Sequence, residues 1–357
     1  MQYVINKIIQ TFLALFGVAS LVFLLFTVLP GDPAQMMLDQ NEDSKLLKVI
    51  KEKFGFNLPL SKQYFYYLND LSPISYHSKN PMVFAHYDKS IYGGWKIFND
   101  EDYVLVMKLP YLRTSYQKRG KPISEILKET LPNTIILAFS SMIIAIMLGG
   151  ILGVMATIYK DHWIDRFLLF FSTIGMSVPS FFSAILFSWF FGYVLHSYTQ
   201  LNMTGSLYEL DDFGDSYHIV WKNLILPSFV LGIRPLAVII QLIRTNLLEV
   251  LSQDYIRTAY SKGLSRYQVI FKHGLKNSLN PVITAVSGWF ASLLAGAIFV
   301  EYVFGWNGLG KEIVKALNQL DIPVVMGAVI VIAFLFIIIN IVVDLIYVYL
   351  DPRIKTS

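Results

Sequence analysis

The 357-residue sequence contains no cysteine. Disulfides, thiolate metal sites and a cysteine nucleophile are therefore excluded, and the redox compartment cannot be read from this residue type. Charge is the second shortage. Asp, Glu, Lys and Arg make up 15% of the residues, against about 25% in an ordinary soluble domain. The shortage is also uneven. Of the 54 charged side chains, 26 lie between Asp32 and Glu129, so the rest of the chain is poorer still. This pattern excludes disorder, a coiled coil and a simple soluble enzyme. The net charge of +4 is too small to point to nucleic acid, and no such partner is expected.

Hydrophobic residues, at 55%, fill the gap. A helix needs about 20 mostly apolar residues to cross the hydrocarbon core of a bilayer. Residues 8–29, 131–159, 167–195, 277–300 and 322–343 carry no charge, and a sixth stretch, 224–243, is interrupted by Arg234. The expectation is an all-α membrane protein with six transmembrane helices. The first apolar run exceeds the 7–15 residues of a signal peptide and ends in Leu29-Pro30-Gly31-Asp32-Pro33 instead of a small-residue cleavage site, so a retained helix is expected.

Short loops set the orientation, because cytoplasmic loops are enriched in Lys and Arg. Lys160 and Arg166 lie between spans two and three. Arg257, Lys262, Arg266, Lys272 and Lys276 lie between spans four and five, and Arg353 and Lys355 follow span six. Glu209, Asp211, Asp212 and Asp215 lie between spans three and four. Both termini are thus expected in the cytoplasm, with residues 30–130 outside.

This yields three regions: a first transmembrane helix (1–29), a long extracytoplasmic segment (30–130), and a core of five spans (131–350) with a cytoplasmic loop at 249–280. About 100 residues is too long for a structureless loop. Residues 44–54 have apolar residues at helical spacing and read as a surface helix ended by Gly55. The tyrosine-rich stretch 62–71 is expected at the membrane surface. Residues 72–109 read as a small irregular or β-containing insertion, and 124–129 as the start of the helix leading into span two. His77 and His86 read as ordinary surface histidines.

The cytoplasmic loop reads as two short helices with a break. Gly263 suits the left-handed end of the first. Ser265 and Gln268 have the spacing of a capping box for the second. Tyr267, Ile270, Phe271 and Leu275 should share one face, and Gln268, Lys272 and Lys276 another. By pattern alone the pair could rest on lipid or dock a cytosolic partner.

The stretch Asp254-Tyr255-Ile256-Arg257-Thr258-Ala259-Tyr260-Ser261-Lys262-Gly263-Leu264 resembles the coupling motif of binding-protein-dependent ABC importer permeases, in the form carried by their peptide/nickel subfamily. Arg257-Thr258-Ala259 stand where the wider family has Glu-Ala-Ala. The resemblance extends to Leu29–Pro33, to Ser177-Val178-Pro179-Ser180-Phe181, to Glu301-Tyr302-Val303-Phe304 with the glycine-rich run through Gly310, and to Asn340, Asp344 and Asp351-Pro352-Arg353. It implies the type I ABC importer permease fold and the B-type membrane subunit of an oligopeptide or dipeptide importer in a bacterial inner membrane. A nickel or other small-solute importer of the same subfamily is the alternative. The implied partners are a homologous C-type permease, two cytosolic ATPase subunits, an extracytoplasmic binding protein and membrane lipid. ATP and Mg would be used by the ATPase subunits, and no cofactor or metal would be bound by this chain. The implied docking residues are Asp254, Tyr255, Arg257, Thr258, Ala259, Gly263 and Ser265.

Three further groups stand out. Arg234 lies about ten residues into span four, near mid-membrane, where charged residues usually face a bundle interior or a water-filled path. It is a candidate for the translocation path, where it would contact a peptide's carboxylate or backbone; the alternatives are a structural pair with an acid such as Glu301, or a span that starts later. Pro179, with Ser180 beside it, should kink or break span three and help shape that path. Asn340 and Asp344, four residues apart, suggest a polar clamp between helices. Gly305-Trp306-Asn307-Gly308-Leu309-Gly310-Lys311 fits G-x-x-x-x-G-K, but Glu312 follows where a P-loop needs Ser or Thr; a turn is the better reading. Asn202-Met203-Thr204 is a glycosylation triplet without meaning in a bacterium. A membrane-embedded enzyme would need paired intramembrane acids, H-E-x-x-H or G-x-S-x-G, and none occurs. A receptor would need a larger cytoplasmic output segment than the roughly 30 residues expected inside.

Overall fold

Long apolar runs become long helices. The computed structural model describes residues 2–28, 34, 44–81, 83–118, 120–211 and 213–350. The Leu29–Pro33 motif, Asp212 and the Asp351-Pro352-Arg353 run lie outside them. The chain forms two compact units, one of residues 1–128 with 315–334, the other of 129–314 with 335–357.

In the first unit, α1 (Gln2–Val28) contains the first apolar span. Helix α2 (Ser44–Phe54) covers the range read from the sequence, and Gly55 follows it at φ 71°. The tyrosine-rich stretch forms α3 (Leu60–Leu71). It packs on α1, with Ser20 Oγ 2.6 Å from Tyr64 Oη and the Phe23 ring 5.1 and 5.5 Å from those of Tyr64 and Tyr67. Strands β1 (Ile74–Ser78), β2 (Trp95–Asn99) and β3 (Tyr103–Met107) form an antiparallel sheet in the order β1-β3-β2, with an irregularity between Lys96 and Phe98.

The sheet corrects the surface reading of His77, which is 1% exposed. Its Nε2 lies 2.8 Å from Ser75 Oγ and its Nδ1 3.3 Å from Ala85 O, and its ring centre is 4.0 Å from that of Tyr92. Burial holds its pKa below the ordinary histidine value. Asp70 is the neighbouring hub. It accepts from Arg113 Nε at 2.8 Å and from Tyr92 Oη at 3.2 Å, while Lys108 Nζ donates to its backbone carbonyl at 2.5 Å. Desolvation lowers Lys108 to about 8, with Asp70 opposing.

In the second unit, α4 (Ile123–Ile158) enters from the first and continues through the second apolar run. Helices α5 (Trp163–Ser177) and α6 (Ser180–Trp189) follow, α6 ending in a π-helical turn at Phe190–Val194. A hairpin of β4 (Tyr208–Leu210) and β5 (Tyr217–Ile219) precedes α7 (Lys222–Leu251), through which Pro227 and Pro235 pass without ending the helix. Helix α8 (Asp254–Ser261) and a composite helix α9 (266–278) lead into α10 (Asn280–Phe304); α11 (Leu309–Asn318) and α12 (Ile322–Leu350) follow, their residues 315–334 belonging to the first unit.

Among the described residues, five helices are long and apolar enough to cross a membrane, and the pair α5–α6, bent by 112°, makes a sixth crossing when counted as one span. The break falls where the sequence predicts it. Proline disfavours helical backbone in the residue before it, and Val178 is extended at φ −75° and ψ 131°.

Helix α7 is the centre of this unit, with 61% of its apolar window buried against 11–33% for the other four long helices. Glycines let its neighbours approach closely. A Cβ on Gly149 or Gly153 of α4 would stand 2.9 Å from Ile239 or 2.8 Å from Ile243 of α7, and 3.1 Å from the carbonyls of Leu236 or Ile240. Small residues four apart are a common way for membrane helices to gain contact when lipid leaves little hydrophobic drive.

Candidate functional site: the helix pair at 254–278 and the break at Pro179

The first helix of the pair starts at Asp254 and ends before Gly263, whose φ of 80° lies in the left-handed region. The capping box is formed: Ser265 Oγ accepts from Gln268 N, and Gln268 Oε1 accepts from Ser265 N at 3.0 Å. Ala259, Ile256 and Val269 share a small buried core that joins the two helices. Ala259 is thus a packing residue. Arg257 lies 3.5 Å from Asp254, both well exposed, so this pair is a surface contact. Thr258 Oγ1 donates to Asp254 O at 3.2 Å, and Asn277 Nδ2 donates to Tyr255 Oη at 2.9 Å.

The expected apolar face of the second helix is divided. Ile270 is 3% exposed and packs in the core with Ile239, Ile243 and Leu247 of α7, whereas Tyr267 is 69% and Phe271 40% exposed. A π-helical stretch, Val269–Gly274, causes this. Its i→i+5 bonds add a residue to the turn; Tyr267 and Phe271 stay together, their ring centres 4.4 Å apart, while Ile270 turns to the core. Tyr255, Tyr260, Tyr267 and Phe271 remain exposed on the pair.

The sequence reading missed two contacts near this pair, one between neighbouring spans and one from the pair to a span. Arg244, seven residues before the end of α7, donates from Nε to Asp165 Oδ1 at 2.5 Å and from Nη2 to Oδ2 at 2.7 Å. Asp165 is 2% exposed and also accepts from Asp161 N at 3.0 Å. Arg266 Nη2 donates to Ile158 O, near the end of α4, at 2.9 Å. The signal available was that Asp165 and Arg244 flank two charge-free runs; in a loop census they count merely as loop charges.

At the break, Val178, Ser180 and Ser183 line a cavity of about 130 Å³ together with Arg234 of α7 and Trp289 and Ser292 of α10. Arg234 Nη2 donates to Val178 O at 3.4 Å, while its buried Nε has no hydrogen-bond partner among the described residues. Arg234, Pro179 and Ser180 are therefore brought to one place. The alternative pairing of Arg234 with Glu301 is not formed. Glu301 Oε2 instead accepts from Gly310 N at 2.6 Å and Lys311 N at 3.1 Å, and a Cβ on Gly308 would fall on its carboxylate. The glycine-rich run wraps a carboxylate, occupying the amides that a phosphate would need. Asn340 Nδ2 donates to Phe336 O of its own helix at 2.8 Å, so this bond does not clamp two helices; Asp344 lies one turn further along α12.

The family described as binding-protein-dependent transport system inner membrane component matches residues 149–356, and its N-terminal counterpart matches residues 1–80. The chain is 32% identical to the dipeptide transport system permease protein DppB of Alkalihalophilus pseudofirmus, 32% identical to the oligopeptide transport system permease protein AppB of Bacillus subtilis, and 31% identical to the glutathione transport system permease protein GsiC of Salmonella typhimurium, each alignment covering 99% of both chains. A chain in an inward-facing crystal structure of the MetNI methionine ABC transporter shares the fold, at 15% identity and a TM-score of 0.50, over 64% of this chain and 98% of that one. Carried by the match over 149–356 and by full-length relatives that are permease subunits and not enzymes, the conclusion is that this chain is a multi-pass inner-membrane permease belonging to the binding-protein-dependent transport system inner membrane components.

Proposed function

We propose that the chain is one of two permease subunits of an ATP-driven importer of oligopeptides or dipeptides, and that the pair α8–α9 docks in a cytosolic ATPase subunit. In this reading a homologous C-type permease completes the path, two ATPase subunits use ATP and Mg below, and an extracytoplasmic binding protein delivers cargo above. Both termini and the pair face the cytoplasm, and residues 30–130 face outward. Peptide cargo is favoured by the relatives, whose names cite dipeptide, oligopeptide and glutathione transport. Asp254, Tyr255, Arg257, Thr258, Gly263 and Ser265 form the docking face or hold its shape, with Ala259 packed between the helices. Arg234, Pro179 and Ser180 belong to the path.

The observation that carries the docking assignment is the broken pair itself: two short helices set at a fixed angle by Gly263 and the Ser265–Gln268 box, with four aromatic side chains exposed. A pair that merely rested on lipid would need no fixed angle. Gly263→Val tests this. A β-branched residue in the left-handed region is strained by about 1–2 kcal/mol or more, although there is open space for its Cβ. The variant should insert and assemble with the second permease but lose most peptide uptake, with ATPase activity no longer stimulated by the loaded binding protein. Unchanged uptake and stimulation in Gly263→Val would rule the docking assignment out.

A further inference from the structure

The cavity at the break between α5 and α6 holds an unusual combination. It exceeds by far the roughly 15 Å³ that one ordered water needs. Its walls are mostly apolar, and among the described lining residues Arg234 is the one charged group and no acid is present. A guanidinium offers five N–H donors. Here one reaches a backbone carbonyl at the long distance of 3.4 Å, and Nε, buried, has no partner among the described residues. An arginine held among apolar walls is costly unless something neutralises it. The hydroxyls of Ser180, Ser183 and Ser292 line the same space, and α6 begins at Ser180, so its positive dipole end lies at the cavity. The guanidinium and the start of α6 favour a negative charge there, while the Val178 carbonyl at the end of α5 is the acceptor that Arg234 already uses.

We infer that Arg234, with the Ser180 end of α6, forms an anion subsite in the membrane path that takes a carboxylate group of the cargo. The inference rests on the peptide-import reading and deepens it. A guanidinium and a carboxylate pair through two parallel hydrogen bonds. An unmodified linear peptide carries one terminal carboxylate, so the subsite would engage such cargo irrespective of its side chains. The contact with Val178 O is weak enough to be exchanged as cargo passes.

Two measurements on the complete complex, reconstituted in neutral phosphatidylcholine vesicles, test it. Trp289 lines the cavity and reports directly on it. Its collisional quenching is obtained as the difference between complexes with Trp289 and with Trp289→Phe. Iodide should quench it at least twofold less in Arg234→Gln than in the native complex, with Arg234→Lys intermediate and neutral acrylamide unaffected. Equal iodide quenching with and without Arg234 overturns the subsite. The second measurement is uptake of labelled trialanine and of its C-terminal amide, with binding of both to the binding protein measured separately. The native complex should favour the free acid, and Arg234→Gln should lower its uptake at least fivefold and abolish the preference. A preference that survives in Arg234→Gln overturns the assignment of the subsite to cargo. So does an iodide effect that appears only when anionic phosphatidylglycerol is added, since the occupant is then a lipid headgroup. A native complex that takes up neither peptide counts against the import reading itself, and the quenching result still decides the subsite.

Discussion

Lys108 is 6% exposed yet keeps a neighbouring ion pair company, its amine directed at the carbonyls of Asp70 and Ser72. Its pKa is about 8 in the fold, against about 10.4 in an unfolded chain. Between those values the unfolded chain holds a proton that the folded one has released. Unfolding therefore takes up a proton, and stability from this group rises with pH across the window and is absent below it. Tyr67 and Tyr92, whose pKa values are raised chiefly by burial, act in the opposite direction only above pH 10. The first unit should accordingly unfold at a temperature a few degrees higher at pH 9.5 than at pH 7.5, and Lys108→Met should flatten that slope. A slope of the same size in the variant would remove Lys108 as its source. None of this was legible in the sequence, and β1 explains why. Period-two reading places apolar side chains inward, but here Ile74 and Tyr76 point outward and Ser75 and His77 are buried. The strand is inverted because the buried side chains satisfy each other and the backbone inside: His77 bonds Ser75 Oγ and Ala85 O, and its ring packs near that of Tyr92.

Elements whose ends are written in caps were the most legible. Gly55, Gly263 and the Ser265–Gln268 box each mark a helix end at the residue expected, because a cap is a local device that needs no distant partner. The interior of α9 was not legible. Nothing in Val269–Gly274 announces a π-helical turn, and its place is fixed by packing of Ile270 and Gly274 on α7, where a Cβ on Gly274 would stand 2.8 Å from Leu247. The Asp165–Arg244 pair escaped for the same reason, since it exists only once α5 and α7 are adjacent. It ties the start of one span to the end of another just before the helix pair. Removing one partner of a buried pair leaves the other uncompensated, at a cost of about 3–5 kcal/mol. Arg244→Gln should thus lower the unfolding temperature of the purified complex markedly, and Asp165→Asn added to it should recover part of the loss. Two single losses that simply add in the double variant would refute a direct coupling.

For the whole molecule, scarcity of charge was enough to find the crossings. Water and hydrocarbon differ so strongly as solvents for charge that 20-residue gaps stand out without any packing information. Orientation rests on the loop arginines and lysines and is a prediction. A reporter active only outside the cytoplasm should be active when fused after His86 or Asp212 and silent after Lys262 or Thr356. An active fusion at Lys262 would invert the whole arrangement.

The seating of Gly149 and Gly153 on α7 has a mechanical consequence. Two helices whose backbones touch cannot slide past each other by a residue without driving a side chain into a main chain, so α4 and α7 are held in register as one beam over that stretch. Helix α9 is bolted to one end of that beam through Ile270 and Gly274, and Arg234 rides on it further along. The 112° break between α5 and α6 lies beside Arg234. Under the proposed docking, a push delivered at α9 would be carried along α7 towards the walls around Arg234.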